Sequence, residues 1–148
     1  MIKLFLSTTL LLSTAFTPPT WLTDLNKAEQ IAKTEHKLIL LNFSGSDWCI
    51  PCMKLRADIF NSDAFTQYAN NNLILVNADF PRLKKNQLSK DQQKKNDKLA
   101  DKYNPQGSFP YTLLLTAEGK VIKAWDGYPN VTAERFTGQI KELLNARN

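Results

Sequence analysis

The sequence predicts an α/β domain in which helices flank one mixed central β-sheet. Two short, nearly continuous apolar runs, LILLNF (Leu38 to Phe43) and NLILVNAD (Asn72 to Asp79), have the character of strands covered on both faces. YTLLLT and VIKAW, separated by AEGK, read as a hairpin with Glu118-Gly119 at its tip, which brings antiparallel pairing into the same sheet. Helical periodicity between and around these runs gives the order α-β-α-β-α-β-β-α.

Taken in chain order, the first helix follows Thr23, with Leu25, Ala28, Ile31 and Ala32 at helical spacing and Thr23 or Asp24 as N-cap candidates. The strand LILLNF then turns through SGSDWCIPC into Lys54 to Phe60, which has helix-forming character. A second helical piece covers Asp63 to Ala69 before the strand NLILVNAD. The polar segment RLKKNQLSKDQQKKNDK leads to a helix at Leu99 to Tyr103, and NPQGSFP is dense in turn formers. The last helix runs from about Thr132 to Ala146, with Phe136, Ile140, Leu143 and Leu144 on one face.

With 148 residues, 43% of them hydrophobic and 22% charged, the chain suits one globular domain and not a disordered, collagen-like or coiled-coil protein. A domain of this length buries enough surface to fold without a disulfide staple. Phe43, Phe60, Phe65 and Phe136 stand at core spacing and are read as packing. Residues 1–15, MIKLFLSTTLLLSTA, have the positive start, apolar stretch and small residues of a secretory signal peptide, with cleavage after Ala15. That run falls short of the ~20 apolar residues that a membrane-spanning helix needs. The expectation is a signal peptide over 1–15 and a mature domain over 16–148, exported to the periplasm or secreted, where disulfides persist.

Cys49-Ile50-Pro51-Cys52 falls where a strand ends and a helix begins. At that junction the first cysteine meets the unpaired N–H groups and dipole of a helix start, which stabilise a thiolate. The thiolate is the attacking species in disulfide exchange, so Cys49 can open a disulfide, and Cys52, one turn on, can displace it. Pro51 fits the first helical turn without removing a needed hydrogen bond, and Trp48 offers an apolar surface beside the nucleophile. A purely structural disulfide across so small a loop gains little from chain entropy. A metal site would have to add His36, which reads better as a surface residue at a helix end.

The segment NFSGSDWCIPCMKL resembles the active-site segment of thioredoxin-fold disulfide oxidoreductases. Its DWCxxC lead-in is similar to the secreted thioredoxin-like proteins and to the C-terminal domain of the bacterial membrane thiol–disulfide interchange protein, over about Lys37 to Leu144. The resemblance implies a thioredoxin fold, with Cys49 as nucleophile, Cys52 as resolving cysteine, and no cofactor or metal beyond the dithiol. It implies that Phe109-Pro110 is the cis-proline element that lies against the CxxC and offers backbone groups to substrate. Spacing alone leaves the isomer of that bond open. Gly127 resembles the glycine after the last strand, near the active-site rim. Ile50 and Pro51 set the dipeptide between the cysteines; with no positive group there, the couple leans towards the reducing side.

One position departs from the family. Thioredoxins carry a buried Asp on the strand before the motif, and here Asn42 stands there, leaving Asp47, Lys54 or water to move the resolving cysteine's proton. The expected partners are protein disulfides or dithiols and a membrane thiol electron donor, with the protein a monomer. From Arg82 to Lys98, seven basic and two acidic residues give +5, equal to the net charge of the whole chain. That segment is either a contact surface for an acidic partner or anionic lipid, or a solvated face. Nucleic acid is not expected, since no aromatics interleave the charges. The rival readings are a binding or chaperone-like adaptor on the same fold, and a copper or zinc carrier using the two thiols and His36.

Overall fold

A computed structural model describes residues 17–147, so the expected signal peptide over 1–15 lies outside the described residues. Five strands form one sheet in the order β1-β3-β2-β4-β5, from β1 (Trp21–Leu22), β2 (Leu38–Ser44), β3 (Leu73–Asp79), β4 (Tyr111–Leu115) and β5 (Val121–Asp126). β1, β3 and β2 run parallel, while β4 and β5 are antiparallel to their neighbours, so the sheet is mixed as expected. Helices α1 (Leu25–Glu35), α2 (Ile50–Leu55), α3 (Asp63–Asn72), α4 (Lys90–Tyr103) and α5 (Ala133–Asn145) complete the domain.

Strand alternation divides the core between the two sheet faces. Leu38, Leu40, Leu73, Leu75 and Leu114 pack with Phe60, Phe65, Phe136 and Ile140 from α3, α5 and the turn after α2. Ile39, Leu41, Phe43, Val76 and Leu113 pack on the other face with Leu25, Ala28, Ala32 and Tyr103 from α1 and α4. All seven residues of β2 are buried, which accounts for its continuous apolar run. The four phenylalanines assigned to the core are there, each 3% exposed or less.

Local boundaries follow their capping chemistry. Asp24, not Thr23, caps α1, its carboxylate accepting the Lys27 N–H at 3.1 Å. His36 closes the same helix in the left-handed conformation (φ 53°) and is exposed, the surface helix-end role read from the sequence. Three elements differ from expectation. Trp21–Leu22 adds an edge strand too short to show a pattern. The helix after the motif spans Ile50–Leu55 and passes into a π turn over Arg56–Phe60. The helix expected at Leu99 to Tyr103 starts a full two turns earlier, at Lys90, where Ser89 accepts the Gln92 N–H. Its Lys and Gln residues are good helix formers that carry no hydrophobic period.

Candidate active site

β2 delivers its C-terminal end to the turn Gly45–Trp48, and the chain enters α2 directly from Cys49. Cys49 and Cys52 form a disulfide (S–S 2.04 Å, Cα–Cα 5.3 Å). Cys49 is the N-cap residue of α2: its sulfur accepts the Cys52 N–H at 3.3 Å, and Pro51 occupies the first turn. In the reduced protein the same N–H would face a thiolate, where a charge-assisted bond is stronger than a neutral one. Both cysteines are nearly covered, at 4% and 6% exposure, whereas Ile50 between them is 76% exposed and Met53 42%.

Trp48 is fixed from four sides. Its Nε1–H donates to the Phe80 carbonyl at 2.7 Å, and Phe109 meets its ring edge-on at a centroid distance of 5.4 Å. The Arg82 guanidinium lies 3.7 Å from the ring centroid. Gly45 packs so close that an added Cβ would stand 2.3 Å from Trp48 Cε2. The Phe109-Pro110 peptide bond is cis, and Gly127, in the left-handed conformation at φ 77°, donates its N–H to the Pro110 carbonyl at 2.9 Å. Gly127 is thus tied to the Phe109-Pro110 segment, and Phe109 to Trp48. Trp48, Phe80, Pro81 and Phe109 wall a groove of about 400 Å³ that Arg82 and Gln93 close on its polar side.

On the inner side of Cys52 lies a cavity of about 220 Å³ in which Asn42, Ser44, Ser46 and Asn77 stand beside Trp21, Phe60 and Cys52 itself. The strand register assembles its polar wall. Asn42 pairs with Asn77 across β2–β3 and with Thr112 across β2–β4, and Ser44 pairs with Asp79. Asn42 donates to Asn77 Oδ1 at 2.9 Å and accepts from Thr112 Oγ1 at 2.9 Å. Ser44 Oγ lies 3.2 Å from both Asn77 Oδ1 and Asp79 Oδ1, sharing its one proton. Asp79 also accepts from the Ser46 backbone N–H and hydroxyl.

The two side chains offered as substitutes for a buried acid are engaged elsewhere. Asp47 accepts from Arg82 N, Leu83 N and Asn86 Nδ2 at 2.9–3.0 Å, and the Arg82 N–H, then the Asn86 amide, hold its carboxyl below the usual value. Lys54 bonds Asp58 at 2.5 Å, which raises the ammonium's pKa, and Tyr128 donates to the same carboxylate oxygen at 2.9 Å. Gly45, Phe80, Asn77 and Asp79 escaped the sequence reading. The signal for the last two was present: in LILLNFS and LILVNAD the apolar residues of one face give way to Asn42 and Ser44, and to Asn77 and Asp79, at matching alternate positions. Among the described residues no group of three or more His, Cys, Asp or Glu could hold a metal ion.

A family model described as the thioredoxin-like domain matches residues 25–144. The chain is 35% identical over 121 residues to a Chlamydia pneumoniae protein named disulfide bond reductase DsbH, covering 82% of this chain and 70% of that protein. A solved structure named DsbH oxidoreductase superposes with a TM-score of 0.81 at 29% identity, over 94% of this chain and 93% of that one. The oxidised C-terminal domain of Neisseria meningitidis DsbD is similar in fold, with a TM-score of 0.57 at 18% identity over 83% of this chain and 98% of that one.

Proposed function

The chain belongs to the thioredoxin-like domain family, and from that premise we propose that it is an exported thiol:disulfide oxidoreductase that reduces disulfides in protein substrates. The observation that carries this reading is the Cys49–Cys52 pair at the strand-to-helix junction, with the Cys52 N–H on the Cys49 sulfur and the Phe109-Pro110 segment tied to Trp48 beside it. Cys49, as thiolate, attacks a substrate disulfide and forms a mixed disulfide, releasing one substrate thiolate. Cys52 loses its proton towards the polar cavity and attacks Cys49 Sγ. The Cys49–Cys52 disulfide closes and the second substrate sulfur leaves as thiolate, so two electrons pass to the substrate. Trp48, Phe109 and Pro110 form the docking surface, with Gly127 holding the Pro110 segment, and Ile50 and Pro51 set the approach to Cys49 and the first helical turn.

Export rests on the signal-like residues 1–15, and among the described residues no helix is long and apolar enough to cross a membrane. The protein acts as a monomer and is re-reduced by an external thiol donor, such as a membrane thiol carrier, because each turnover leaves it oxidised. The dithiol itself is the redox group, without a metal or organic cofactor. The name of the Chlamydia pneumoniae relative, disulfide bond reductase, supports the direction. The test is reduction of a protein disulfide with dithiothreitol as donor. Cys49→Ser is expected to abolish turnover, and Cys52→Ser to accumulate a mixed disulfide through Cys49. Full activity in Cys49→Ser would reject the mechanism.

A further inference from the structure

The basic segment and the redox site meet at one residue. Arg82 opens the +5 stretch running to Lys98, and its guanidinium stacks 3.7 Å from the centroid of Trp48, the residue next to Cys49. Stacking occupies one face of a guanidinium and leaves its N–H edge free for a carboxylate. Among the described residues the ion pairs are Lys37–Glu35, Lys54–Asp58 and Lys95–Asp24, so no carboxylate among them pairs with Arg82. The arginine is also held from behind: Asp47 accepts its backbone N–H and that of Leu83, fixing the loop on which the side chain stands. Across the groove α4 contributes Gln93, whose amide donates to Asp97, and Lys90 lies one turn earlier on the same side of that exposed helix. The groove thus has an apolar wall of Trp48, Phe80 and Phe109, and among the described residues Arg82 is the one charged residue that lines it, with the Asp97 carboxylate bonded to the far side of Gln93.

We propose that Arg82 forms a carboxylate-binding subsite in this groove, so that the preferred substrates are extended protein segments carrying Asp or Glu within two or three residues of the reacting cysteine. The proposal rests on the reductase reading above. An extended segment advances ~3.3 Å per residue, so a side chain that close to the cysteine falls within the groove beside Trp48. An uncharged segment would still dock on the apolar wall, and a lysine would face a cation of like charge.

The test uses the full-length oxidoreductase and a set of disulfide-bridged peptides, identical except for Glu, Gln or Lys flanking one cysteine, with a small neutral disulfide as reference. Expected is a kcat/KM ratio of Glu over Gln peptide of about three- to fivefold at low ionic strength, the size of a partly exposed ion pair, falling as salt is added. The Lys peptide is expected to rank last. In Arg82→Gln the Glu/Gln ratio is expected to collapse to about one, with Arg82→Lys retaining part of it, since Lys keeps the charge without the stacked fork. A merely structural Arg82 would change all peptides by the same factor and leave the ratio intact, and that result would overturn the proposal. So would a wild-type ratio of one. Arg82-dependent binding to vesicles of anionic phospholipid, with no peptide preference, would assign the guanidinium to a membrane and overturn it equally. Failure to exchange even with the small neutral disulfide would instead reject the underlying redox reading.

Discussion

Thr112 Oγ1 donates a 2.9 Å hydrogen bond to Asn42 Oδ1, and so fixes the Asn42 amide with its Nδ2 towards Asn77. Asn42 is a neutral cross-strand link, buried to 5% exposure, with one bond donated to Asn77 and one accepted from Thr112. Its neighbours Ser44, Ser46 and Asp79 carry the hydrogen bonding outward from the cavity beside Cys52 to a carboxylate at the end of β3.

Asn42→Asp tests this link. A protonated Asp reproduces both bonds, donating to Asn77 and accepting from Thr112, whereas a carboxylate loses the donor in a buried site. Burial and the missing bond push its folded pKa above the unfolded value of about 3.9. The variant should match the parent near pH 3.5, lose stability as pH rises through the window between the two values, and stay about 1–3 kcal/mol weaker above it. Urea midpoints at pH 3.5 and pH 8 check this; equal deficits at both would contradict it.

Asp79→Asn removes the carboxylate that ends the polar chain while leaving an acceptor for Ser44 and Ser46. The step in which Cys52 displaces substrate should slow by about 100-fold, the lower end of what a positioned proton acceptor contributes, while attack by Cys49 keeps its rate. Rapid-quench trapping of the mixed disulfide separates the two steps. An unchanged resolution rate would exclude Asp79 from proton movement.

Gly45→Ala places a methyl 2.3 Å from the Trp48 indole, which is itself bonded to Phe80 and cannot yield without losing that bond. The expected outcome is a displaced Trp48 and a loss of about 1–3 kcal/mol of stability. A shifted tryptophan emission and a raised KM for protein substrates, with smaller effect on a small neutral disulfide, would report the displacement. Gly127→Ala is a milder case. Open space surrounds its Cβ, so only the strain of φ 77° remains, about 1–2 kcal/mol.

The Asp47 carboxyl is held below its ordinary value by the N–H of Arg82 first, then by Asn86. A depressed folded pKa means that this anchoring is fully present above the unfolded pKa of about 3.9 and is lost as pH falls through the folded value. Amide exchange at Arg82 and Leu83, measured from pH 6 downward, should lose protection in that acid window and at every pH in Asp47→Ala. Protection that survives in Asp47→Ala would show that the loop is held by other contacts.

The helix-capped, apolar parts of this molecule were legible in the residues, because β2, β3 and α5 carry periods that burial imposes. The CxxC pair and its strand-to-helix setting were legible for the same reason. Lys90 to Lys98 was not, since a helix turn of Lys and Gln capped by Ser89 holds its shape by propensity and capping without an apolar stripe. The close approach of Gly45 to Trp48, and the stacking of Arg82 on that ring, join residues about three dozen positions apart or depend on a turn's exact path, which no local pattern encodes. Asn77 needed the parallel register of β2 with β3 before it could be placed in the cavity beside Cys52, and Asp79 before it could be placed behind Ser44 and Ser46.

The equilibrium redox potential of the Cys49–Cys52 pair, set in glutathione or dithiothreitol buffers with Cys49→Ser as control, tests the central claim most directly. A value near about −270 mV is predicted, the range of a reductase that draws on an electron donor. A value near about −120 mV would make the protein an oxidant that introduces disulfides, and the absence of any reversible two-electron couple would replace the enzyme with a binding module on the same fold.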